Sequence, residues 1–171
     1  MSLKNKGEIR AVEENDWPQI YTLIERVFLR QDEAQFLREL QEKQDLVYIR
    51  VIDRNSELIG LIAYPRLKLI TDAGFHNALV LAPFVIDPLW QGHGLGTELI
   101  KQSHSDLMAE NEKLIFVLGE EDYYRFGYSR EAASAYSGPY NSQFLLANKW
   151  SKDIPETGEL VYPMAFANVI G

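Results

Sequence analysis

Residues 79–97, Leu79-Val80-Leu81-Ala82-Pro83-Phe84-Val85-Ile86-Asp87-Pro88-Leu89-Trp90-Gln91-Gly92-His93-Gly94-Leu95-Gly96-Thr97, read as an apolar strand, a glycine-rich loop and the start of a helix. Gly92, Gly94 and Gly96 alternate, which allows a tight turn with backbone N–H groups pointing inward. The first N–H groups of the helix have no intrahelical partner, and the helix dipole adds about half a positive charge there. Loop and helix start together make an anion site suited to a phosphate. No Lys or Arg lies between Leu79 and Ile100, so a phosphate bound here is expected to be held mainly by backbone donors.

Three phosphate patterns compete for this loop. A P-loop needs Lys before its Ser or Thr, and Thr97 directly follows Gly96. A dinucleotide fingerprint needs Gly-x-Gly-x-x-Gly after the first strand; here the last spacing is wrong and the loop lies in mid-chain. The third pattern, Gln/Arg-x-x-Gly-x-Gly/Ala, fits Gln91 to Gly96. A turn that serves only packing competes with it for six residues taken alone. Pro83 adds context. Proline cannot donate to a strand ladder and sits at edges or bulges. A bulge there would free backbone groups of Phe84, Val85 and Ile86, extending the loop into a longer backbone cradle.

Working outward, the pattern predicts alternating elements. Glu8 to Val12 is a strand. Asp16-Trp17-Pro18-Gln19 reads as an N-cap with Pro in the first turn, followed by one apolar stripe of Ile20, Leu23, Ile24, Val27 and Phe28. A second helix spans Asp32 to Lys43. Leu46 to Ile52 and Leu58 to Tyr64 form a hairpin across the polar turn 53–57. Arg66 to Thr71 continues it or forms another strand. Ala78 to Ile86 is one long apolar strand. Leu95, Leu99, Ile100, Leu107 and Met108 share a helical face. Leu114 to Leu118 is a buried strand and Gln143 to Trp150 a late one. Leu160 to Ile170 is apolar but interrupted by Pro163.

The chain has 171 residues, a length suited to one domain. The absence of cysteine rules out disulfides, thiolate metal sites and a Cys nucleophile. His76, His93 and His104 show no metal-ligand spacing, so no metal is expected. The formal charge of −8 argues against nucleic acid as a partner. It favours cationic partners, and acidic residues cluster at 32–33 and 120–122. No run is long and apolar enough to span a membrane, and the N-terminus lacks the apolar core of a signal peptide, so the expectation is a cytoplasmic protein.

With these motifs in place, the segment from about Leu79 to Met108 resembles the acetyl-CoA-binding core of the GNAT superfamily of N-acetyltransferases. The order of elements around it is similar, and Tyr123-Tyr124-Arg125-Phe126-Gly127-Tyr128 resembles the family's Tyr-x-x-x-Gly-Phe segment. The tail Val161-Tyr162-Pro163-Met164-Ala165-Phe166 looks like that of a branch of bacterial N-acetyltransferases. The resemblance implies an α/β, single-domain GNAT-like fold: a mixed central sheet splayed at a bulged strand, with helices on both faces. It covers residues 7–150, with 151–171 packed on or extending the same domain. By it, Phe84, Val85 and Ile86 would pair through their backbone with the pantetheine arm of acetyl-CoA. Gln91, Gly92, His93, Gly94, Leu95, Gly96 and Thr97 would hold the pyrophosphate. Three departures stand out: Gln91 replaces the commoner Arg, Gly119-Glu120-Glu121 stands where the family often has Asn, and Tyr128 replaces Phe.

The activity implied is acetyl-CoA-dependent transfer of acetyl to a primary amine of a small molecule or peptide. The departing thiolate needs a proton. Tyr123, four residues before Gly127, occupies the position of the family's acid; Tyr124 is the neighbouring alternative, and both also read as packing aromatics. Glu33, beside Asp32 at the start of the second helix, is the candidate base; a carboxylate favoured by the helix dipole, with a water chain as base, is the competing reading. His93 could touch phosphate or simply be solvated. A non-catalytic CoA-binding sensor and a nucleotide-binding domain are the rival functions. The sequence neither requires nor excludes a homodimer.

Overall fold

A computed structural model of the chain describes residues 7–169. The remaining termini, including the segment read for a signal peptide and the last residues of the apolar tail, lie outside them. The elements run β1 (Glu8–Ala11), α1 (Trp17–Phe28), α2 (Asp32–Glu42), β2 (Leu46–Arg54), β3 (Glu57–Thr71), β4 (Gly74–Val80), β5 (Phe84–Ile86), α3 (Leu95–Ala109), β6 (Leu114–Leu118), α4 (Arg130–Ser134), β7 (Tyr136–Ser137), β8 (Leu145–Lys149) and β9 (Gly158–Val161). Short 3₁₀ turns join them at Glu14–Asp16, Pro88–Trp90, Glu121–Phe126 and Met164–Asn168.

The strands form one mixed sheet in the order β1-β2-β3-β4-β6-β8; β5 and β9 also pair with β3, and β7 pairs with β9. Among the described residues only β4–β6 and β7–β9 are parallel. Of the two readings the sequence allows for Arg66 to Thr71, continuation holds: β3 is one strand of 15 residues. Pro65 marks the place where its partners change. Leu46 of β2 pairs with Pro65, and from Arg66 onward β3 pairs with β4 and β9. A proline without an N–H is tolerated where one ladder ends and another begins.

The long strand expected over 78–86 is two strands. Along β3, Leu79 pairs with Arg66, whereas Phe84 pairs with Ile62. The register therefore slips by one residue across 81–83, as a bulge requires. Ala82–Pro83 is a cis peptide there, and the Pro83 carbonyl accepts from the Ala63 N–H at 3.0 Å. β6 follows β4 but not β5. Its last backbone bond to this stretch is Leu81 N–H to Phe116 O at 2.8 Å. Beyond it the sheet opens between β5 and the end of β6.

Alternation along the strands sorts side chains to two faces. Ile59, Ile62, Leu79, Ile115 and Val117 pack with Leu95, Leu99 and Leu107 of α3. Leu61, Ala63 and Val85 pack with Ile20 and Ile24 of α1 and Leu37 of α2. Leu67, Val80 and Phe116 face Phe36 and Leu40 of α2 together with Phe166. The helices α1 and α2 thus cover one face and α3 the other. Asp16 does not cap α1 with its side chain. Arg10 takes that carboxylate instead, at 2.7 and 2.9 Å, and the Glu13 N–H donates to it as well. A charged guanidinium outcompetes a helix N–H for a largely buried carboxylate.

Candidate active site

The glycine loop follows β5 and is held from three sides. The Asp87 carboxylate, 1% exposed, accepts from the Leu89 N–H at 3.0 Å and from Nη2 of Arg26 on α1 at 2.6 Å. Nε2 of Gln91 donates back to the Ile86 carbonyl at 3.0 Å. The Trp90 ring lies beneath the Arg54 guanidinium at 4.3 Å. Gly92 and Gly94 have φ of +81° and +80°, left-handed values that glycine adopts at least cost. Gly96 serves a different need: a Cβ there would sit 3.1 Å from Cζ of Phe84, so its absence lets α3 approach β5.

A cavity of about 620 Å³ opens over this loop, lined by Phe84, Ile86, Trp90, Gln91 to Gly92, Gly94 to Thr97, Asp122 and Arg125. In β5, the Asp87 N–H bonds the Ile59 carbonyl, so the strand's odd-numbered residues turn their polar backbone to β3. Phe84 and Ile86 therefore direct theirs into the cleft. Val85 points its backbone to β3 and its side chain under α1 and α2. His93 is exposed, 6.2 Å from the Trp90 ring between centroids.

Arg125 was missed by the sequence reasoning. The loop lacks a local cation, but the turn Glu121–Phe126 brings the Arg125 side chain to the wall facing it. Phosphate binding there need not rest mainly on backbone donors. Its only sequence signal is its place beside the Tyr123–Gly127 segment, since the approach of the two walls is tertiary.

Tyr123 and Tyr124 separate cleanly. The Tyr123 ring packs on the α3 side of the sheet, edge-on to Tyr128 with centroids 5.9 Å apart. It lies directly over Gly119: a Cβ on that glycine would be 2.5 Å from Cδ2 and Cε2 of the ring. Burial, with the Asp122 charge beside it, pushes the Tyr123 hydroxyl up to about 12, so it is protonated at neutral pH. Behind it, the Tyr128 hydroxyl and Nε2 of His104 share a hydrogen bond of 2.9 Å. Burial pushes His104 down to about 4, which keeps that ring neutral. Tyr124 is 42% exposed and lines another cavity with Glu120, Glu121 and Arg130. Glu33 is buried at the start of α2, where Arg30 pairs with it at 2.6 Å, and it does not line the loop cavity. Among the described residues no cluster of His, Asp or Glu suits a metal ion, and no helix is long and apolar enough to cross a membrane.

Comparisons with known proteins agree with this fold. The chain closely resembles the structure of a GNAT family N-acetyltransferase (YhbS) from Escherichia coli in complex with CoA: TM-score 0.84 at 21% identity, covering 94% of this chain and 91% of that one. A GNAT family acetyltransferase from Brucella melitensis in complex with acetyl-CoA gives a TM-score of 0.78 at 22% identity, covering 93% and 97%. No curated protein sequence matches significantly. The profile of the acetyltransferase (GNAT) domain matches residues 8–130, from β1 through the glycine loop to the start of α4, and the chain belongs to the GNAT acetyltransferases.

Proposed function

We propose that this acetyltransferase binds acetyl-CoA along β5 and the glycine loop and passes the acetyl group directly to a primary amine. The observation that carries the reading is the single cavity in which Phe84 and Ile86 with their open backbone, the loop residues Gln91, Gly92 and Gly94 to Thr97, and Arg125 converge; His93 stands outside it. Phosphates suit the N–H-rich helix start and the guanidinium. The strand-like arm of the cosubstrate suits the unpaired edge of β5.

The chemistry follows from the groups at hand. An alkylammonium has a pKa near ~10.4 and must lose a proton to water before its nitrogen can attack. The neutral nitrogen adds to the thioester carbon, the C–N bond forms, and the C–S bond breaks. The departing sulfur takes the hydroxyl proton of Tyr123, and the proton shed by the acylated nitrogen restores the tyrosine. Burial keeps the Tyr123 hydroxyl protonated, but giving that proton to a thiolate whose thiol titrates near ~8.5 runs uphill from a phenol near 12, so the transfer is completed only as the more acidic proton of the acylated nitrogen returns to the tyrosine. Glu33, locked to Arg30 outside the cavity, does not take the base role in this scheme.

Isothermal titration with acetyl-CoA, followed by thiol release in the presence of amines, tests the reading. Saturable binding and amine-dependent thiol release are expected. Binding without turnover across amines would make the protein a CoA-binding sensor, and preferential binding of NAD or ATP would move it to another nucleotide class.

A further inference from the structure

Acetyl transfer needs the amine on the side of the thioester that the cosubstrate leaves open. The loop, α3 and the Tyr123 ring lie on one face of the sheet. On the opposite face, at the same open end of β6, lies a second cavity of about 540 Å³, lined by Leu118, Gly119, Glu120, Tyr140 and Phe144 among others. Leu118 and Tyr140 belong to the apolar cluster under α2, which fixes that face. Gly119 is the shared wall: the Tyr123 ring rests against it, and the cavity opens beside it.

The cavity has a built apolar side. Tyr140 meets Tyr162 edge-on at 4.8 Å and Phe166 at 6.4 Å, so the C-terminal turn buttresses it. The turn beneath is tied by Nδ2 of Asn141 to the Tyr136 carbonyl at 2.7 Å and by the Phe144 N–H to Oγ of Ser142 at 3.1 Å. Phe144 nevertheless leaves 45% of itself exposed at the mouth. The polar side is anionic: Glu120 lines this cavity, and Glu121 and Asp122 line the adjoining one, against a single guanidinium from Arg130.

We infer that this cavity is the acceptor site and that its ligand is a small primary amine carrying an aromatic or bulky apolar body. The body lies against Tyr140, Phe144 and Leu118, and the amine is drawn in as its ammonium form by Glu120. This rests on the acetyl-CoA reading above. The volume falls in the range of small-molecule sites, and a large apolar wall with one opposing charge selects against ligands charged at both ends.

The test uses the full chain with acetyl-CoA and measures thiol release with phenethylamine and tryptamine against putrescine, spermidine and glycine. The arylalkylamines should exceed the others in kcat/KM by at least about tenfold, the scale of a few apolar groups in a pocket. Phe144→Ala should raise KM for phenethylamine about five- to tenfold. Glu120→Gln should raise it by a similar factor, more at low salt than at high. Both variants should keep the acetyl-CoA Kd within about twofold of the parent, because neither side chain lines the loop cavity. A preference for the polyamines or glycine, or an unchanged amine KM in both variants, overturns the acceptor site while acetyl transfer stands; no turnover of any amine overturns the transfer reading and the acceptor site with it. Failure to bind acetyl-CoA overturns both.

Discussion

Gly119→Ala is the smallest change that should disable the chemistry while sparing the fold. The backbone at Gly119 is not left-handed, so alanine adds a methyl group and no backbone strain. That methyl would stand 2.5 Å from two carbons of the Tyr123 ring, against an ordinary carbon contact of about 3.5 Å or more. The ring must therefore retreat by about 1 Å. It cannot do so by sinking inward, because Tyr128, 2% exposed and hydrogen-bonded to His104, backs it edge-on. The hydroxyl is carried with the ring. A displacement of this size at a reacting group costs about 10²-fold in kcat, within the ~10²–10⁴-fold that general-acid help supplies. Overpacking should cost about 1–3 kcal/mol of stability, a fall in Tm of roughly 2–4 °C for each, and should leave acetyl-CoA affinity nearly unchanged.

The assay is a double-mutant cycle read in kcat: wild type, Gly119→Ala, Tyr123→Phe and the pair. If Gly119 acts by placing the hydroxyl, its substitution has almost nothing left to cost once the hydroxyl is gone. An equal loss in both backgrounds refutes the positioning argument, as does a Gly119→Ala enzyme with wild-type kcat.

Three other outcomes follow from the same geometry. Tyr123→Phe should lower kcat at least tenfold with little change in acetyl-CoA Kd, whereas Tyr124→Phe should be mild, since steady-state kinetics on the pair compare a ring packed on the α3 side of the sheet with an exposed one that lines a different cavity. Arg125→Gln should weaken acetyl-CoA about three- to fivefold in calorimetry, an effect that fades as salt rises, and should leave the Tm unchanged because the side chain is exposed. His104 makes stability pH-dependent: with a folded value of about 4 below its ordinary 6.5, the unfolded chain binds the extra proton, so stability should rise with pH across that window by at most about 1.4 kcal/mol per unit and then level off. Urea unfolding from pH 4.5 to 7.5 should show that slope reduced in His104→Gln.

How much of this was legible depended on whether the cause was local. The glycine loop was readable because its requirement is written in adjacent residues, and the pairing register confirms the bulge at Pro83 that the sequence suggested. Whether Arg66 to Thr71 continues the hairpin strand was open for the opposite reason: β3 runs straight through Pro65 because its partners on either side change there, and those partners are distant in sequence. Asp16 looked like a helix cap in its own segment, but a guanidinium from β1 claims its carboxylate. The same limit hid Arg125, and it left the apolar tail unassigned: Gly158–Val161 becomes a strand only beside Lys68–Ile70 of β3, and Phe166 earns its burial against Phe36 of α2.

One feature of β3 accounts for the site as a whole. This strand carries β4 and then β5 along the same edge, and the extra residue at Ala82–Pro83 turns the second away from the line of the first. β6 is registered to β4 alone, so the sheet opens where β5 begins. The opening leaves backbone groups of Phe84 and Ile86 without a strand partner, which would be costly in a dry core. Gln91 answers one of them by donating to the Ile86 carbonyl, and the open cleft leaves the others to water or to a ligand with amide groups of its own. Each bond so exchanged gains only about 0.5–1.5 kcal/mol net, so in the proposed binding mode the edge selects the shape and course of the arm more than it sets affinity. Affinity must come from the charged end, where the helix start and Arg125 face each other. The ion pair of buried Asp87 with half-exposed Arg26 ties that end to α1, so the two walls of the cleft are anchored to different layers of the fold.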